Sequence, residues 1–274
     1  MKRIAGWLVA VVVALGFLLP LLWMLHASFR PESAIFTGGL KSLFDFRGLH
    51  LEHYVAAWRR AAMGIGLLNS LLQVAGILGL GLLFNSMAAF ALARFDFPGR
   101  AGLFALVIVL IILPVEVLVV PLLLTVRDLG LVGGHGRTLA ALVLPFAVKA
   151  FNIYFLRQHF LALPRDLEEA AIMDGAGPFR IYWSVGLPAI RPALATVLVL
   201  DMLTHWSDFI WPLVICTREE TRTVQIALSN LFTQPPIQWG DILACAVMTT
   251  LPVLVVFRLA QRHIVASQLT AGIK

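Results

Sequence analysis

The chain has 274 residues, of which 60% are hydrophobic and only 13% charged, and its net charge is +6. A mean hydropathy of +0.90 leaves too little polar surface to cover a globule in water, which excludes an ordinary soluble domain. The class this points to is an all-α polytopic membrane protein, because backbone groups in lipid must pair within their own segment. Basic residues scatter over the ends of apolar runs, with no basic stripe and no stacking aromatics, so they read as membrane flanks facing anionic lipid and not as a nucleic-acid surface.

Six apolar runs approach the length of about 20 residues that a helix needs to cross the hydrocarbon core. In chain order the predicted spans are Ile4 to Ala27, Ile65 to Ala93, Ala101 to Val126, Thr138 to Leu156, Ala193 to Ile215 and Ile242 to Leu259. The first follows a basic start that also suits a secretory signal. Its apolar run is longer than a signal core and no small-x-small cleavage site follows, so it reads as an uncleaved span. An external loop of about 28–64 comes next, in which "LEHYVAAWRRA" has the pattern of a short amphipathic helix. An even number of spans puts both termini on one side. With that side cytoplasmic, Lys2, Arg3, Arg94, Arg100, Arg157 and Arg165 lie inside while Arg30, Lys41, Arg47, Arg59 and Arg60 lie outside, and over the whole chain the bias is slightly positive-inside. No internal repeat is visible, which speaks against the mirrored halves of many secondary transporters. Cys216 and Cys245 make no metal-ligand set, and they read either as a disulfide or as two small packing residues.

Between the fourth and fifth spans lies "LPRDLEEAAIMDGAGPFRIYWSVGLP", Leu163 to Pro188. Pro164 and Asp166 suit a helix start, and Glu169 three residues after Asp166 has the spacing of a capping box. A short helix is predicted from about Leu167 to Met173, with Ala170 and Ala171 keeping part of its surface small. Gly175 permits the left-handed turn that stops it. Gly177-Pro178 starts a second short helix through about Ser184, which Leu187-Pro188 ends. Such a helix-turn-helix is either a protruding docking knob or an ordinary interfacial connector.

Polar residues inside spans are functional candidates because lipid makes them costly. Span three carries Glu116 between Pro114 and Pro121, and span four carries Lys149 and Asn152. Span five carries Asp201, Thr204, His205 and Asp208, at spacings that share one helix face. At about 1.5 Å rise per residue, Asp201 and Lys149 come out at similar depths, roughly 14 Å and 12 Å from the inner side. Two readings stay open. The stripe faces a solute path, with Asn152 and Glu116 contributing and Trp206 or Trp211 offering an aromatic face, or Lys149 and Asp201 form a bridge that only holds the bundle. Pro20, Pro114, Pro121, Pro145 and Pro252 are candidate kinks.

One spacing is specific. Glu169-Ala170-Ala171, three residues, Gly175, nine residues, Val185, one residue, Leu187-Pro188 resembles the signature loop of the permease subunits of binding-protein-dependent ABC importers, with Val185 where that family has Ile. "ALARFDFPGR" from Ala91, "LNSLLQV" from Leu68 and "HWSDFIWPL" from His205 resemble segments of the carbohydrate-type, maltose-permease-like branch, with Ser207 where Asn is usual. "QRHIVASQLTAGIK" from Gln261 resembles its C-terminal tail, except at Ser267-Gln268.

The resemblance implies a single transmembrane permease domain over 1–274, with a cytoplasmic coupling helix between spans four and five (loop about 163–190) and a cytoplasmic tail of about 260–274. It implies that Glu168, Glu169, Ala170, Ala171, Asp174, Gly175, Leu187 and Pro188 couple to an ABC ATPase dimer. It also implies a second, different permease subunit, an extracytoplasmic solute-binding protein and a place in a bacterial or archaeal cytoplasmic membrane. The chain lacks G-x-x-x-x-G-K-[ST], since "GGHGRT" at Gly133 has neither the Lys nor the spacing. No cofactor is expected on this non-catalytic subunit, ATP and Mg belonging to the partner ATPase. The competing accounts are an ion-coupled secondary carrier using Glu116, Asp201 or His205, and a membrane scaffold that transports nothing.

Overall fold

The computed structural model describes residues 2–37, 39, 45 and 48–271, with side chains over 6–37, 39, 45 and 48–259. Lys41 and Arg47 of the external loop, the side chains of Lys2 and Arg3, and those of the tail expected over 260–274 lie outside the described residues. Every regular element among the described residues is helical: α1 (Lys2–Ala27), α2 (Glu52–Arg60), α3 (Met63–Arg94), α4 (Arg100–Ile112), α5 (Val115–Asp128), α6 (His135–Ala147), α7 (Ala150–Leu161), α8 (Asp166–Met173), α9 (Pro178–Ile181), α10 (Leu187–Ala189), α11 (Arg191–Trp206), α12 (Ile210–Ile215), α13 (Val224–Leu231) and α14 (Trp239–Ala271). Short turns of 3₁₀ and π type fill several joints.

Among the described residues, three helices are by themselves long and apolar enough to cross a membrane: α1 from Gly6, α3, and α14 as far as Leu259. Three further pairs of helices are long and apolar enough together but bent at a short break, and counting each pair as one crossing gives up to six. The pair α4 and α5 meets at 106°, α6 and α7 at 45°, and Pro178–Ala189 meets α11 at 76°.

Two of these bends interrupt spans that hydropathy reads as straight, and the fifth predicted span is broken at a further point. Pro114 pushes Leu113 out of the helical region, to φ −71° and ψ 119°, so α4 stops at Ile112. Val148 and Lys149 are extended between α6 and α7. The fifth span does not run to Ile215 as one helix. It ends at Trp206 and resumes at Ile210, because Pro212 cannot donate to the carbonyl of Asp208 and its ring would strike it. Asp208 therefore lies beyond the end of α11, off the face that carries Asp201 and His205.

The chain divides into two compact units, one formed by Met1–Leu68 and Arg222–Pro252 and the other by Asn69–Thr221 and Val253–Lys274. In the first, the amphipathic segment predicted within the loop of about 28–64 is α2. Its Tyr54 hydroxyl meets Ser28 Oγ at 2.7 Å, and burial raises the Tyr54 pKa above its ordinary value. Asp241 is buried and takes Arg60 Nη1 at 2.6 Å and His53 Nδ1 at 3.0 Å. Glu32 accepts the N–H groups of Trp239 and Gly240, which closes the open donors at the start of α14. Cys245 is a free, buried thiol 3.4 Å from Met63 Sδ, and Cys216 is also free, so the disulfide alternative is not realised.

In the second unit, α4 packs on α7, and α7 on α11. The end of α3 is held by arginines. Arg100 Nε and Arg157 Nε both donate to the carbonyl of Leu92, at 3.0 and 3.1 Å, and Arg157 lies 3.8 Å over the Phe104 ring.

Candidate functional site

Two places concentrate chemistry in the second unit. The first is the loop from Leu163 to Ile190. Its helix α8 begins at Asp166, with Arg165 before it, and the carbonyl of Arg165 accepts the N–H groups of Glu168 and Glu169 at 2.9 and 3.0 Å. No side chain caps this end, so the capping box read from Asp166 and Glu169 does not form. Asp166 already belongs to the helix and cannot serve as its cap. The three carboxylates of the first turn instead stand at the positive end of the helix dipole.

The other end of α8 closes as the sequence suggests. Gly175 takes φ +76°. Ala176 N–H bonds to Ala171 C=O and Gly175 N–H to Ile172 C=O, each at 2.9 Å. This is the double bond of a Schellman motif, and Ala171 and Ala176 both pack on the core beneath it. Pro178 then opens α9. Instead of stopping near Ser184, the chain continues through a π turn, Tyr182–Gly186, into α10. A Cβ on Gly186 would lie 3.2 Å from Phe160 and 3.3 Å from Phe90, so the residue without a side chain lets those rings close over the turn.

The loop is pinned to the end of α3 by Arg94. Arg94 is 6% exposed, its Nε is 2.5 Å from Glu168 Oε1, and its Nη2 donates to the carbonyl of Leu163 at 3.0 Å. The residues expected to couple therefore divide. Glu168, Ala171 and Leu187 face inward and Pro188 is half-buried, while Glu169, Ala170, Asp174 and Gly175 are exposed. An apolar set that sequence reasoning missed is exposed with them: Leu167, Ile172, Met173, Phe179 and Trp183, with Met173 at 87%. The available signal was apolar residues in a loop whose helices are too short to bury them.

The second place is inside the bundle. Lys149 Nζ donates to Asp201 Oδ1 at 2.9 Å and Asn152 Nδ2 to Asp201 Oδ2 at 2.5 Å. The Asp201 side chain is 5% exposed and that of Lys149 34%. The pair that depth alone suggested is thus present, and Asn152 completes it. Sequence reasoning missed Asn85 of α3, which holds the break beside it. Its Nδ2 donates to the carbonyl of Ala147 at 3.2 Å, and its Oδ1 accepts the N–H of Lys149 at 2.9 Å. One amide side chain satisfies a backbone group on each side of the α6–α7 break. Gly81 lets α3 approach, since a Cβ there would meet the Ala147 carbonyl at 3.2 Å.

The other candidates make no hydrogen bond to this cluster, although His205 lies within electrostatic reach of Lys149 and Asp201. His205 is buried against Phe146, ring centroids 5.5 Å apart, and neither ring nitrogen has a hydrogen bond. Thr204 is exposed and bonds its own helix at the Leu200 carbonyl. Glu116 is exposed in the first turn of α5. Trp206 and Trp211 are both buried, and Trp211 donates to the carbonyl of Ala141 at 3.1 Å.

Long apolar helices and bent apolar pairs, with a buried polar cluster between them, define a helical membrane protein. Residues 77–267 match the family described as binding-protein-dependent transport system inner membrane component, and the chain belongs to it. The arabinooligosaccharides transport system permease protein AraQ of Halalkalibacterium halodurans is 34% identical over 284 residues, covering 100% of both chains. The diacetylchitobiose uptake system permease protein NgcG of Streptomyces coelicolor is 32% identical over 95% of this chain and 83% of its own. Among solved structures, a chain of a bacterial ABC transporter involved in the import of the acidic polysaccharide alginate superposes with a TM-score of 0.80 at 26% identity, covering 95% of this chain and 96% of that one. The chain is a permease subunit of an ABC importer.

Proposed function

We propose that this permease forms half of the translocation path for a carbohydrate or related polar solute in the cytoplasmic membrane of a bacterium or archaeon, crossing it six times with both termini cytoplasmic. The other half comes from a second, different permease subunit, and an extracytoplasmic binding protein delivers the solute. Relatives named for arabinooligosaccharides and diacetylchitobiose support the solute class. Three long helices and three bent pairs support six crossings.

Energy comes from a separate ATPase dimer that holds ATP and Mg and docks on the loop 163–190, which makes that loop the coupling helix. The observation that carries this reading is the loop's construction. Glu169, Ala170, Asp174 and Gly175 stand exposed beside Leu167, Ile172, Met173, Phe179 and Trp183, on a backbone fixed by Arg94 and the Schellman turn. A rigid apolar knob outside the membrane fits a groove in a partner better than it fits water. Within the bundle, the exposed flank of Lys149 offers the path a donor whose charge Asp201 balances.

The test is a mild-detergent pull-down of the chain from its native membrane, repeated with Glu169→Lys and Gly175→Asp together. Recovery of a Walker-motif ATPase and a second permease, with the ATPase lost in the double variant, supports the reading. Recovery of the chain alone or as a homodimer sinks the heterodimer and the docking of an ATPase on this loop.

A further inference from the structure

Both halves of the coupling loop are fastened to α3. Arg94 holds α8 through Glu168. The second half is held by Tyr182, the first residue of the π turn, whose hydroxyl meets Ser86 Oγ at 2.9 Å with both residues buried. Ser86 Oγ also contacts the carbonyl of Leu82 in its own helix. A serine hydroxyl has one hydrogen, and that contact uses it, so Tyr182 is the donor. The Tyr182 ring lies against Phe90 of α3 at 5.4 Å and against the exposed Phe179 and Trp183 at 6.0 and 6.2 Å. A load on the exposed face of the loop therefore reaches Ser86 through one ring.

The residue next to Ser86 is Asn85. Neighbours on a helix point about 100° apart, so they serve different partners. Ser86 serves the loop, and Asn85 holds the break at Ala147 and Lys149 that seats Lys149 on Asp201. We propose that the Asn85-Ser86 pair of α3 is the mechanical relay between the ATPase-docking loop and the elbow of the fourth span. Tyr182, Ser86 and Asn85 are its positioning residues. The chain changes direction only after the π turn, at Ile190, where Pro178–Ala189 meets α11 at 76°, so the Tyr182 ring is locked on α3 on the loop side of that bend. Movement thus enters the path through the second span as well as through the chain that directly follows the loop. The inference rests on the ATPase-docking reading above.

The experiment uses the intact importer complex and needs no solute. Val148, exposed at the elbow, is changed to Cys, and its alkylation rate by a small maleimide is followed with and without trapping by Mg-ATP and vanadate. The native thiols Cys216 and Cys245 are buried and give little background. Trapping is expected to change the rate about fivefold or more in the parent, the size of a coupling of ~1 kcal/mol. Tyr182→Phe keeps the ring and should shrink that change to under about twofold while ATP hydrolysis persists. Ser86→Ala should do the same, and Ser86→Thr, which keeps the hydroxyl, should restore the parent response. The double variant Tyr182→Phe with Ser86→Ala should be no worse than either alone. A full nucleotide response in Tyr182→Phe, or no response in the parent complex, overturns the relay. Absence of any ATPase in the purified complex instead removes the docking reading, so the two failures are distinguishable.

Discussion

At 5% exposure, the Asp201 carboxylate depends on Lys149 and Asn152 for what water would otherwise supply. Removing Lys149 leaves a buried charge with one amide, whereas removing both charges leaves little to solvate. Lys149→Met is expected to lower stability in detergent by about 2 kcal/mol, below the usual cost of breaking a buried pair because Lys149 is a third exposed. Asp201→Asn should cost a similar amount and the double variant much less, read as a coupling in a thermal-unfolding cycle. Additive losses would show that the pair stabilises nothing. Arg94→Lys is a second case. A lysine cannot reach both the Glu168 carboxylate and the Leu163 carbonyl as the guanidinium does. It is expected to reduce ATPase recovery in the pull-down nearly as far as Arg94→Ala, and full recovery with Lys would refute the two-point anchor. Lys149 and Asp201 were legible because charges in apolar runs stand out. Asn85 and Arg94 were not, since an uncharged amide in a span and an arginine at its end look ordinary until their partners are known.

Among the elements, the bent spans show local sequence and distant side chains acting together. Pro145 has no N–H for the carbonyl of Ala141, and that orphan is taken by the Trp211 indole at 3.1 Å. Trp211→Phe is expected to cost about 1–3 kcal/mol, the penalty of a buried unpaired carbonyl plus a lost hydrogen bond. The cost should fall when Pro145→Ala restores the helical donor, and equal costs in both backgrounds would count against this account. The Schellman turn makes a further prediction. Gly175→Ala places a side chain at φ +76°, which costs about 1 kcal/mol. Amide exchange over 171–177 should quicken about fivefold without change elsewhere; an unchanged rate would mean the turn is unstrained. The helices, the turn at Gly175 and the break at Pro114 were readable because Pro and Gly act on their immediate neighbours. The break at Val148 and Lys149 carries neither residue, and its stability comes from Asn85, 62 positions away from Ala147.

For the whole molecule, the proposed topology has a direct check. Cysteines placed at Asp96 and Met173 should react with a membrane-impermeant maleimide only from the cytoplasmic face, and one at Gly133 only from the outer face. Reaction of Asp96→Cys from outside would invert the assignment and remove the coupling loop from the ATPase's side. Sequence by itself determined that this chain is a helical membrane protein, where its long apolar helices lie, and which family it belongs to. These follow from composition, from hydropathy over the length of a span, and from residues close together in the chain. Tertiary structure decided which face each residue of the loop presents, turning Glu168 inward and leaving Glu169 outside. It also decided which polar groups bond inside the bundle, joining Lys149, Asn152 and Asp201 while His205 and Glu116 make no hydrogen bond to them. The reason is that a buried polar group must be satisfied by whatever side chain the packing brings to it, and packing is set by contacts between distant segments.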